Sequence, residues 1–583
     1  MAARRPDSIR RLIDTRIDRL PSFEQQIVET AAVAGGSFTA GVVAHALDAD
    51  VDAVDSACEL LARERRFLKY EGTETWPDGT IQSRYSFGHS LFQHAALARS
   101  TSASVRARHR KSAERLEAGY APRPEEIATE LAAHFDRAQM SAKAAHYHVA
   151  AGDRAGHSYG LLEAIAHYER ACTVLARLPE SRERDLLEMR AKLPLGWRLF
   201  QRDGSTDAAL PLLERCRDLA TSLGERTCLA EALIRLEFAC MVRGDMGKAR
   251  EHARAAAPLL DRVPDALRMF GQDLEAITVL IQGNLREGLD LLDSRGILRA
   301  TKEESAAEAI AANLVAMAHG AFALWLVGKP DDALDLASRG YGAAEALDDP
   351  WERAALLGEW AVLHALRGEP VEARELATRS LALAEEGAFG AVSDRSGLVL
   401  RWAEAELDSA EMKELADEVL GKPWNSVSFG RTLPWLLFAA TCARLGRTDS
   451  ALGVLSEALE SLAQSEERWL EPELHRLRGE IVASRDVLEA ERSFLTAIQL
   501  ARSHGAASLE LRATLSLHRV VSGEAKTRAR DELARLLTLV TGGEGTPDVA
   551  EARRVVGELD GLGSRASRAV SRRKTPVGRR KGP

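Results

Sequence analysis

Gly156-His157-Ser158-Tyr159-Gly160 comes nearest in this chain to a catalytic signature. It fits G-x-S-x-G, in which a serine on a sharp strand-to-helix turn presents its hydroxyl as a nucleophile at the top of an α/β sheet. Here apolar residues recur at helical spacing on both sides, so the segment reads as a linker between helical repeats. His146 and His148, and likewise His134 and Asp136, are metal-ligand types two residues apart. That spacing chelates on a strand, but on a helix positions i and i+2 face apart. There is no H-E-x-x-H and no C-x-x-C. The cysteines (Cys58, Cys172, Cys216, Cys228, Cys240 and Cys442) are scattered over helical patterns and read as small buried hydrophobes in a reducing cytoplasm. No G-x-x-x-x-G-K-[ST] occurs: Gly328-Lys329 runs into Pro330 and Gly421-Lys422 into Pro423. Without the backbone donors and lysine of that loop, nothing should cradle a triphosphate. The expectation is a protein that is not an enzyme, with no catalytic residue, metal site or cofactor.

What the sequence does contain is a repeat. Gly204, Gly244, Gly283, Gly328, Gly368 and Gly446 each stand five residues ahead of a small residue: Ala209, Ala249, Gly288, Ala333, Ala373 and Ala451. After the small residue come markers at +4 and +7, as in Ala249/Ala253/Ala256, Ala333/Ala337/Gly340 and Ala451/Leu455/Ala458. Ala164/Tyr168/Ala171 and Ala490/Phe494/Ala497 keep the triplet without the glycine. Offsets of 4 and 7 share one helical stripe, where a small residue lets a neighbouring helix approach. The glycine suits the left-handed cap that ends the preceding helix. A helix, a glycine turn and a second helix, recurring about every 40 residues, make an α-solenoid. Such arrays usually bind rather than catalyse. Trp197, Trp325, Trp360, Trp402 and Trp435 read as core packing within it.

Composition agrees. A chain of 583 residues exceeds a single core, and 45% hydrophobic with 28% charged residues describes a soluble protein. No apolar run is long enough to span a membrane, and the start carries no signal-peptide pattern. The expected location is the cytoplasm. Net charge is −9, which gives no general attraction to nucleic acid. Yet the last twenty residues hold Arg565, Arg568, Arg572, Arg573, Lys574, Arg579, Arg580 and Lys581 and no acid. Residues 563–583 read as a disordered basic tail.

Residues 1–120 do not follow the repeat. Helical patterns cover Asp7–Leu20, Ser22–Ala34, Thr39–Leu47 and Val51–Phe67. A strand pair follows: Leu68-Lys-Tyr-Glu, a turn at Trp76-Pro77-Asp78-Gly79, then Ile81 to Phe87 with apolar residues at period two. Further helices start at His89 and near Thr101. Three helices and a β-hairpin are the winged-helix arrangement. Its third helix would meet DNA phosphates with Asp50, Asp52, Asp55 and Glu59, while Arg63, Arg65 and Arg66 lie at the far end. Negative charge at that position opposes backbone contact.

The segment order resembles the STAND-type predicted ATPases of bacteria. Pro6 to Ile13 with Arg19-Leu20-Pro21 looks like the segment leaving their nucleotide-binding domain. Glu29 to Phe38 and Arg84 to Leu91 look like their winged helix. Glu467 to Glu480 and Ala501 to Arg512 resemble their last, tetratricopeptide-like repeats. The likeness runs over roughly residues 5–560. It implies a winged-helix domain at 1–120, a tetratricopeptide-like solenoid at 121–562 and the basic tail, but without the P-loop NTPase that precedes them in the family. The chain then reads as a stand-alone descendant, one product of a split gene, or a shortened product. In related switches a winged-helix histidine at a helix start touches the phosphates of bound ADP. His89 has that placement, although Gly88 and Ser90 replace the motif's flanking residues, and capping of the helix or packing on the wing is the plainer role. Together these readings give a mainly α, regulatory protein. It would engage protein partners along the solenoid, among them a separate NTPase or signalling domain, and no membrane. The alternatives are a transcription regulator using the winged helix or tail on DNA, and a fragment of a longer ATPase.

Overall fold

The computed structural model describes residues 5–64, 67–299, 307–346, 349–407 and 432–557. The basic tail, Gly421-Lys422, Arg65 and Arg66 lie outside the described residues. The chain divides into two compact units, Met1–Leu195 and Gly196–Pro583.

The first unit opens with α1 (Arg5–Asp18), α2 (Ser22–Ala34), β1 (Ser37–Thr39), α3 (Ala40–Leu47), α4 (Val51–Arg63), β2 (Leu68–Thr75) and β3 (Ile81–Phe87). The three strands form an antiparallel sheet in the order β1-β3-β2. The sequence reading lacked β1, which takes Thr39 out of the helix expected there. A three-residue strand is too short for period two to show. Helix α4 stops at Arg63 rather than Phe67, because Phe67 is buried against Phe92 and its N–H returns to Leu61 O at 3.1 Å. At the hairpin turn Asp78 Oδ1 accepts from Thr80 N and Oγ1, and Gly79 has φ 86°. The Arg115 guanidinium lies 4.5 Å over the Trp76 ring.

There follow α5 (Ser90–Arg99), α6 (Ser102–Gly119), α7 (Ala128–Arg137), α8 (Ser141–His157), α9 (Leu161–Leu175) and α10 (Arg182–Asp203), whose residues from Gly196 on belong to the second unit. One apolar core runs unbroken from Ile13 through Phe38, Leu116 and Phe135 to Leu187, across residue 120. In the α8–α9 hairpin Tyr159 takes the turn position that glycine holds elsewhere, at φ 59°.

The second unit is a solenoid of helix hairpins. Its helices are α11 (Ala209–Leu223), α12 (Arg226–Val242), α13 (Met246–Ala256), α14 (Asp265–Ile281), α15 (Leu285–Ser294), α16 (Ala307–Leu326) and α17 (Pro330–Ala346). Next come α18 (Pro350–Arg367), α19 (Pro370–Glu386), α20 (Gly390–Glu406), α21 (Thr432–Arg444) and α22 (Thr448–Gln464). The last are α23 (Glu471–Val482), α24 (Val487–His504), α25 (Ala507–Val520) and α26 (Gly523–Leu539), before a helical segment at 547–557. Gly204, Gly244, Gly283, Gly328, Gly368 and Gly446 all have positive φ, between 69° and 95°. In most of these turns the N–H after the glycine closes back on a carbonyl five residues earlier: Asp245 to Cys240, Lys329 to Leu324, Glu369 to His364 and Arg447 to Cys442, at 2.8–2.9 Å. That bond satisfies an orphan carbonyl and fixes the reversal of the chain. The triplets face inward: Ala333, Ala451, Leu455 and Ala458 are fully buried. Where the second marker is large, the opposing helix supplies a glycine, as Gly479 does for Phe494.

The solenoid also winds back on itself. Arg468 N and Trp469 N donate to Ile281 O at 2.8 and 3.1 Å, and Thr541 N donates to Gly328 O at 2.8 Å. Ser508 Oγ donates to Trp325 O, 183 residues away, and Arg512 Nη2 to Leu366 O at 2.8 Å. Each acceptor is a carbonyl at the C-terminal end of a hairpin's first helix, or in its turn, where intrahelical partners run out. Successive turns of the superhelix are therefore joined, roughly four to five repeats apart.

Candidate ligand-binding site

Helices α10, α12, α14, α16, α18 and α20 are the first helices of consecutive hairpins, and their facing stripes converge on a cavity of about 300 Å³. Trp197 and Phe200 come from α10, Phe238 from α12 and Phe270 from α14, at i, i+3 spacings that put each pair or ring on one face. Trp197 is half-buried and lies 5.3 Å from Phe238, 6.4 Å from Phe270 and 6.1 Å from Trp351, in edge-to-face contacts. Across from these rings α18 and α20 present Ala355 and Ala391, too small to fill the space. A cavity remains because large side chains on one wall meet small ones on the other.

Charged groups are set into this apolar lining. Arg395 forms a buried ion pair with Glu359 and donates to Ala355 O at 3.2 Å. Arg235 is held by Glu231 one turn away at 2.8 Å. Glu352 sits in the first turn of α18, where Asp349 caps the helix by accepting from Trp351 N and Glu352 N at 2.8 and 3.2 Å. Burial, helped by the neighbouring Asp349 charge, pushes the Glu352 carboxyl up to about 8. Among the described residues no cation pairs with it.

The residues with chemical spacing in the sequence lie elsewhere. Gly156 to Gly160 forms the turn inside the α8–α9 hairpin, not a linker between repeats, and a helix rather than a strand precedes Ser158. His146 is exposed while His148 is buried, so the two face apart along α8, and His134 and His148 each meet a histidine from another helix. Nδ1 of His134 is 3.0 Å from Nδ1 of His109, and Nδ1 of His148 is 3.0 Å from Nδ1 of His167. Asp136 Oδ2 lies 3.9 Å from His148 Nε2. Burial holds His109 at about 3, His134 at about 4 and His148 at about 4, well below an ordinary imidazole. Among the described residues no group of three or more His, Cys, Asp or Glu could hold a metal. The cysteines are unpaired with one another, and Cys58 is raised by burial to about 12.

His89 is exposed and caps α5, its Nδ1 accepting from Leu91 N at 3.1 Å. Two of the acids at the start of α4 have structural partners: Asp50 caps the helix, and Asp55 accepts from Tyr85 OH at 2.7 Å and Ser83 Oγ at 2.8 Å. Trp325, Trp360, Trp402 and Trp435 are buried, whereas Trp197 lines the cavity. Sequence reasoning missed this site because an aromatic at i, i+3 on a helix has the same pattern as core. The trace it left was charge on an apolar stripe, Glu352, Glu359 and Arg395.

No protein-family model matches the chain, and no curated protein matches it. Among solved structures, a Rap protein complexed with competence and sporulation factor aligns at 13% identity and TM-score 0.31, over 72% of this chain and 98% of that one. A STAND protein (signal transduction ATPase with numerous domains) with a tetratricopeptide repeat sensor, from Pyrococcus horikoshii, aligns at 11% identity and TM-score 0.31. That alignment covers 94% of this chain and 67% of the archaeal one.

Proposed function

We propose that the chain is a non-catalytic regulatory protein, the sensor and scaffold half of a STAND-like signalling ATPase, and that its nucleotide chemistry occurs on a partner. The repeat unit binds a ligand in the cavity between its first helices. The three-helix and three-strand element of the first unit acts as a winged helix that docks on the nucleotide-binding partner. The observation that carries this reading is the cavity of about 300 Å³ itself, lined by six consecutive first helices. A ligand there touches every repeat it would need to reorient, and the joined superhelical turns would carry such a shift along the array. His89, exposed at the start of α5, is the residue proposed to approach the partner's nucleotide. Small-molecule pockets of about 300–1,000 Å³ are typical of such sites.

The test is a nucleotide-release assay with a P-loop NTPase recovered with the chain from source cells. Addition of the chain should change the rate of ADP release, and His89→Ala should reduce that change. ATP binding or hydrolysis by the purified chain alone would overturn the reading.

A further inference from the structure

The ligand's charge can be read from the cavity, if the repeat unit is the sensor proposed above. Five aromatic rings, Trp197, Phe200, Phe238, Phe270 and Trp351, line the cavity. Ring faces carry negative potential and attract a cation placed within about 6 Å of a centroid. The charges in the wall are already matched except one: Arg395 is paired with Glu359 and Arg235 with Glu231. Glu352 lines the cavity with a carboxyl that no described cation faces. An ionised acid is costly in a poorly hydrated site, so Glu352 keeps its proton until a ligand cation compensates the carboxylate. An anionic ligand would meet the ring faces unfavourably, and a neutral one would leave the Glu352 carboxyl protonated.

We propose that the cavity binds a small organic ammonium ion, its alkyl groups against the aromatic rings and its charge against Glu352. The cavity of about 300 Å³ takes a compact ligand of this kind, not a folded segment. Binding is then linked to protons. The charge that acts on Glu352 is Asp349 at the cap of its helix; Glu359, Arg395 and Arg235 line the same cavity, the two arginines already paired with Glu359 and Glu231. Since burial and Asp349 raise Glu352 to about 8, a bound cation pulls a proton off it, and affinity rises as pH goes from 7 to 9.

Isothermal titration calorimetry on the full chain tests this with three probes of one shape: choline, its uncharged carbon isostere dimethylbutanol, and the anion dimethylbutyrate. Choline should bind at least about tenfold tighter than the isostere, and the anion should not bind. Glu352→Gln should weaken choline about tenfold and abolish the proton release seen across buffers of different ionisation enthalpy. Trp197→Leu, checked for folding by circular dichroism, should weaken choline and leave proton release per bound ligand unchanged. Equal binding of the isostere would overturn the cation proposal and leave the sensor cavity standing. Binding of none of the three would also overturn it, and the sensor reading would then rest on the ADP-release assay alone.

Discussion

Alanine at Gly328 and at Gly446 should have unequal costs, although both glycines occupy the same place in their repeats. Their φ angles are 95° and 74°, a region in which an L side chain costs about 1–2 kcal/mol. A Cβ at Gly446 meets nothing within 4 Å. At Gly328 it would sit 3.1 Å from Ala507 Cβ and 3.3 Å from Val540 Cα, which belong to the next superhelical turn. Backbone at Val540 cannot yield without straining the Thr541 N–H to Gly328 O bond at 2.8 Å. Overpacking of this kind costs about 1–3 kcal/mol. Gly446→Ala should therefore lose about 1–2 kcal/mol and Gly328→Ala about 2–5. Urea denaturation gives the totals, and amide exchange at Thr541 gives the local effect, which should appear in Gly328→Ala alone. Equal losses in the two variants would refute the joining of superhelical turns through the glycine corners.

Three further outcomes follow from other contacts. Gly479→Ala would place a Cβ 2.5 Å from Phe494, so it should lose about 1–3 kcal/mol, and the pair Gly479→Ala/Phe494→Leu should recover part of that in the same denaturation assay. Arg395→Met should lose about 3–5 kcal/mol by stranding Glu359 in the lining, and Arg395→Met/Glu359→Leu should be markedly more stable than the single variant. The His109–His134 pair sets an acid limit: both imidazoles titrate below 6.5 when folded, at about 3 and about 4. The unfolded chain takes up those protons first, so stability of the first unit falls as pH drops from about 6.5 to about 3. Amide exchange in α6 and α7 should report that loss, and His109→Leu/His134→Leu should flatten the profile.

The repeat was legible because it rests on two local rules, a left-handed glycine after a helix and a small residue on a stripe. Both depend on neighbours within a few positions. The same locality explains the strand pair at Leu68 to Phe87, whose turn chemistry is written in Pro77, Asp78 and Gly79. What depends on distant neighbours was not legible. Nothing near Gly328 in sequence announces Ala507 and Val540, and nothing near His134 announces His109. The cavity belongs to that second class. Trp197 and Phe270 have the periodicity of core residues, and only the small Ala391 and Ala355, far along the chain, leave space between them. Glu352 and Arg395 could have been noticed as charges on buried stripes, but pairing one and not the other with a partner takes three dimensions.

The most direct test of a sensor cavity is a thermal-shift titration with fractionated small-molecule extract of source cells, comparing the wild-type chain with Ala355→Phe, which fills the space. A saturable rise in the unfolding temperature of the wild type by some fraction, lost in Ala355→Phe, is the predicted result. The same rise in both proteins, or none with any fraction, would contradict a ligand held between the first helices.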